Sequence, residues 1–122
     1  MKSFAITCGL FLLMIAVIIS NAIFVNQSVD DFIGTLNAAD PQNREDCLLV
    51  LDGIRIKWEK EKDIIQSSVS HTKIDTVSDL LDSIAVYASH ENFEEYEKTA
   101  ALLINAFEEL RLLEDLSAVN IL

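Results

Sequence analysis

His71 precedes Asp75 by four residues, with Ser67, Ser68 and Ser70 immediately upstream and Lys73 in between. A histidine with an acidic neighbour is the common general acid/base arrangement, and a nearby serine raises the possibility of nucleophilic hydrolysis. Proximity along the chain is not a catalytic triad, however, and no Gly-x-Ser-x-Gly elbow or oxyanion loop accompanies these residues. His90 has Glu94 at the same spacing, across an expected turn. Neither histidine belongs to a His-x-x-x-His or His-Glu-x-x-His pair, so the ligand convergence that zinc needs is not encoded locally.

The remaining chemical groups are equally sparse. Cys8 lies in an apolar run and Cys47 in an acidic region, outside any Cys-x-x-Cys pattern, so they read as membrane filler and a buried small hydrophobe. Three glycines leave no phosphate-cradling loop, and the acidic stretch near Glu94 lacks the Asp-rich loop of a calcium site. No catalytic residue, metal ligand or cofactor is expected, and an enzyme is disfavoured. His71 and Asp75 remain as a polar spot where a small ligand could bind.

Helices must position these groups. The 122 residues include three Gly and one Pro, too few turn formers for a many-stranded sheet, so the expected fold is all-α. Residues 4–25 carry no charge and, at about 1.5 Å per residue, reach about 33 Å as a helix, enough to cross roughly 30 Å of hydrocarbon. Ser20 and Ala22 resemble a signal-peptide cleavage site, but Ile23, Phe24 and Val25 follow directly and favour a retained anchor. Lys2 at the start and no further Lys or Arg before Arg44 place residues 1–3 in the cytoplasm and residues 26–122 outside. The whole chain has a net charge of −11, with +1 at Lys2 and −12 beyond the span, which excludes nucleic-acid binding through clustered cations.

Beyond the span, Val29, Phe32, Ile33 and Leu36 share one helical face and extend the anchor outward as a helix over about 28–39. Asp40 is expected to cap a second helix with Pro41 at its first position. That helix is expected over 41–88, carrying Cys47, Leu51, Ile54, Trp58 and Ile65, then Ile74, Val77, Leu81, Ile84 and Ala88. Its register shifts across the polar residues 66–73, where a kink is expected. Glu61 fills one apolar slot, while Lys57–Glu61 and Glu59–Lys62 form surface pairs and Lys62 can cover Trp58.

Asn92 with Glu95 gives a capping-box start for a third helix over 92–116, carrying Phe93, Tyr96, Ala100, Leu103, Phe107 and Leu110. Arg111 suits the negative end of its dipole. Leu113, Leu116, Val119, Ile121 and Leu122 form an apolar tail. The architecture expected is a transmembrane helix continuing into an antiparallel helical hairpin or three-helix bundle.

The stretches IKWEKEKDII, HTKIDTV and LSAVNIL, behind a short basic start and an N-terminal span, resemble the domain of unknown function 4363 family, small anchored proteins of Firmicutes. The resemblance implies a bacterial cell membrane and a single pass. It brings no activity and no catalytic residue.

The seam formed by Leu51, Ile54, Trp58, Ile65, Val77, Leu81, Ile84, Phe93, Tyr96, Leu103, Phe107 and Leu110 suggests an interaction or structural protein that docks on itself or on another membrane protein. The alternative is a sensory or ligand-binding ectodomain acting with a partner. Three cytoplasmic residues cannot carry a signal inward alone.

Overall fold

The computed structural model describes residues 2–40, 42–66 and 71–121, with side chains described to Ile65 and from His71 to Leu113 in the later helices. Among the described residues it contains four helices: α1 (Lys2–Ala38), α2 (Arg44–Gln66), α3 (His71–Ser89) and α4 (Phe93–Ile121). No strand occurs among the described residues.

The extension expected over 28–39 is the end of one unbroken helix. α1 has 37 residues, and its first 13 described residues are all exposed, although they are overwhelmingly apolar. Full burial begins at Val25 and recurs at Ser28, Val29, Phe32 and Leu36, one side of the helix. A single rod therefore changes its role along its length, bare where the sequence is uniformly apolar and packed where it becomes amphipathic.

The α1–α2 turn differs from expectation. The Asp40 carboxylate accepts a hydrogen bond from the Gln42 N–H at 3.0 Å, closing a local Asx turn. Asn43 takes over as the helix cap, its side-chain oxygen accepting from the Asp46 N–H at 3.1 Å and its carbonyl from the Cys47 N–H at 3.0 Å. Pro41 lies outside the described residues.

The single long helix expected over 41–88 is two helices. α2 ends at Gln66, α3 starts at His71, and the two run antiparallel, as the Trp58–Ser78 and Arg55–Asp82 contacts require. Residues 67–70 lie outside the described residues. The physical reason is burial: two apolar seams in shifted register cover each other when the chain folds back, whereas a continuous rod would leave both wet.

At the opposite end, the α3–α4 turn is a Schellman arrangement. The Asn92 N–H bonds the Tyr87 carbonyl at 3.0 Å, the Glu91 N–H bonds the Ala88 carbonyl at 3.2 Å, and Glu91 adopts φ 57°. Asn92 then caps α4, accepting from the Glu95 N–H at 3.3 Å through its side chain. α4 continues to Ile121, beyond the expected end near 116.

Each helix touches two others, in the cyclic order α1, α2, α3, α4 and back to α1. One apolar core runs through the ring they form, with Trp58, Phe32 and Phe107 its largest fully buried side chains.

Candidate functional site

The centre of the ring is aromatic. Phe32 of α1 stacks on Phe107 of α4 with centroids 4.9 Å apart and planes 5° from parallel. Trp58 of α2 meets both rings edge-on at 6.0 Å. Its indole N–H would be costly to bury alone, and it donates to the Ser78 hydroxyl of α3 at 2.9 Å, so this one level ties all four helices together. Ser78 carries no sequence signal of its own. It sits beside the Val77 seam position, and only the fold-back of α3 brings it to Trp58.

Ion pairs ring the same level. Lys57 pairs with Asp31 at 2.8 Å and lies 5.2 Å from the Phe32 ring centroid. Lys73 pairs with Glu109 at 3.1 Å, and Arg111 pairs with Asp30 across α1 and α4. Arg111 thus serves a helix-to-helix contact and not the end of α4, which lies ten residues further on. Lys62 pairs with Glu59 at 2.7 Å and does not cover Trp58; its charged form is favoured chiefly by the hydrogen bond to Glu59. Glu61 is drawn into the seam: one carboxylate oxygen stands 4.0 Å from the Lys57 ammonium and the other is buried without a hydrogen-bond partner.

A second polar contact lies toward the α1–α2 turn. The Cys47 thiol donates to the Asp40 carbonyl at 2.9 Å, and the Tyr96 hydroxyl is its polar neighbour from α4. Burial pushes the Cys47 thiol up, opposed by the Tyr96 hydroxyl and reinforced by Asp46 and Asp40. Tyr96 is raised further, first by burial and then by Cys47. Cys47 is therefore a buried thiol that ties α2 to the turn after α1 through the Asp40 carbonyl. Cys8 is exposed on the apolar part of α1.

Of the twelve seam residues, eleven are buried together: Leu51, Ile54, Trp58, Ile65, Val77, Leu81, Ile84, Tyr96, Leu103, Phe107 and Leu110. Phe93 is the exception, exposed in the first turn of α4 where the neighbouring helices end. The seam is spent on holding the domain together. Sequence reasoning left Val25 within the span, whereas it is fully buried at the base of the core.

His71 and Asp75 lie one turn apart at the start of α3, both exposed. Ser67, Ser68 and Ser70 lie outside the described residues. Among the described residues no group of three His, Cys, Asp or Glu side chains converges as a metal site. A shallow groove of about 150 Å³ lies between α2 and α3, lined by Leu48, Leu51, Asp52, Arg55, Leu81 and Ala85. It falls below the roughly 300–1,000 Å³ typical of small-molecule pockets.

Compared with family models, curated proteins and solved structures, the chain matches none. The resemblance drawn from IKWEKEKDII, HTKIDTV and LSAVNIL, behind the short basic start and the N-terminal apolar run, rests on the sequence alone.

Proposed function

We propose that this is a single-pass, membrane-anchored interaction protein: residues 4–25 span a bacterial cell membrane, the N-terminus is cytoplasmic, and an acidic four-helix bundle stands outside. Membership of the domain of unknown function 4363 family is part of this proposal. The observation that carries it is the unbroken α1, apolar and exposed at one end and part of the bundle core at the other. A helix shared in this way mounts the domain rigidly, so a partner gripping either part moves both.

Because the seam is internal, docking on another membrane protein or on a second copy uses outward residues. Leu49 and Ile56, two turns apart on α2, and Val86 on α3 are exposed aliphatics beside the α2–α3 groove. The test is purification of the tagged full chain from native membranes in mild detergent, followed by native mass spectrometry. A defined oligomer or one stoichiometric partner, lost on Leu49→Glu with Ile56→Glu, supports the proposal. Monomer alone with no co-purifying protein sinks it.

A further inference from the structure

We propose that the span-side end of the helical domain carries a lipid-contacting collar, Ile64, Leu112 and Leu113, seated in the interfacial layer of the outer leaflet. The inference rests on reading residues 4–25 as the span.

The Phe32–Trp58–Phe107 contact sets a common height on three helices. From there α1 runs toward the span with falling residue number, while the antiparallel α2 and α4 run toward it with rising number. Ile64 lies six residues past Trp58, and Leu112 and Leu113 lie five and six past Phe107, each about 7–9 Å nearer the span. The same descent on α1 reaches Gln27 and Asn26, just outside the end of the apolar run at Val25. An interfacial layer of roughly 5–7 Å lies beyond the hydrocarbon on each side, so these side chains fall within it.

They also face outward at that height. Relative exposure is 49% for Ile64, 57% for Leu112 and 36% for Leu113. A lone exposed leucine is ordinary, but aliphatics on two helices at one level, just above the bare apolar part of α1, form a patch with a direction. Proximity to the span makes lipid the occupant. α3 contributes exposed His71 and Thr72 at this end and α1 contributes Asn26 and Gln27, so the collar lies on α2 and α4.

The charges nearby permit contact without supplying it. Asp30, Asp31, Glu59 and Glu109 are each matched by a cation, Arg111, Lys57, Lys62 and Lys73. The domain is nevertheless acidic overall, so attraction to anionic headgroups is not its source of affinity. The collar therefore works on zwitterionic lipid and is indifferent to salt.

The experiment uses the full chain with Cys8→Ser, in which Cys47 is shielded by burial, and one added cysteine at a time: Ile64→Cys, Leu112→Cys, Leu49→Cys or Phe11→Cys. Each is labelled with an environment-sensitive fluorophore and reconstituted into phosphatidylcholine vesicles. Lipids bearing a doxyl group near the headgroup should remove most emission at 64 and 112, with iodide ineffective there and the reverse at 49. If 64 and 112 behave like 49 while 11 is lipid-quenched, the collar is wrong and the anchor stands. If 64 and 112 resist both quenchers, protein covers them and the lipid assignment falls. If 11 itself is open to iodide, the anchored reading fails and the collar with it.

Discussion

Phe32 and Phe107, 75 residues apart in sequence, lie face to face with ring centroids 4.9 Å apart, joining α1 to α4. Phe32→Ala or Phe107→Ala should each lower domain stability by about 3–5 kcal/mol, the usual cost of deleting a buried aromatic. The double variant should lose less than the sum, because each ring is the other's contact. Trp58, the single Trp, reports this in denaturant unfolding followed by its emission.

Glu61 occupies an apolar slot with one oxygen buried and unbonded. Glu61→Met should raise stability by about 1 kcal/mol, since it removes a desolvated acid without opening a cavity. A fall in the midpoint of chemical unfolding would show that the contact with Lys57 outweighs that cost.

The pH response follows from Tyr96 and Cys47. Both are raised above their ordinary values of 10.0 and 9.0, mainly by burial. The folded state then holds its protons more tightly than the unfolded chain, so stability is complete below about pH 9 and declines as pH rises beyond it. Tyr96→Phe should reduce that alkaline loss. Thermal melts from pH 7 to 11 on both proteins measure it, and parallel profiles would exclude the phenol.

Glu91 holds φ 57° in the turn between α3 and α4. A left-handed conformation costs a side-chain-bearing residue roughly 1–2 kcal/mol, which glycine avoids. Glu91→Gly should therefore raise the melting temperature despite glycine's greater freedom when unfolded. An unchanged or lower value would mean that the Glu91 side chain contributes to the acidic α4 start more than its backbone costs.

α1 passes through Ala22 without interruption. Intact mass of the membrane-extracted protein should include residues 2–22, and a mature chain starting at Ile23 would overturn the anchor.

Much of this was legible in local pattern. The uncharged run, the apolar face from Val29 to Leu36, the Asn92 cap and nearly all seam positions follow from types and spacing, because burial on a helix recurs every three to four residues. What periodicity could not show is whether α2 and α3 form one rod or two: with no Gly or Pro at 66–73 both are locally permitted, and covering two seams decides for the fold-back. The same long-range choice moved Arg111 from a helix-end role to Asp30, gave Trp58 the Ser78 hydroxyl and turned the expected docking seam inward. The sequence by itself determined which faces are apolar. Only tertiary packing decided which faces meet, since partners distant in the chain contribute nothing to local spacing and everything to the water excluded between them.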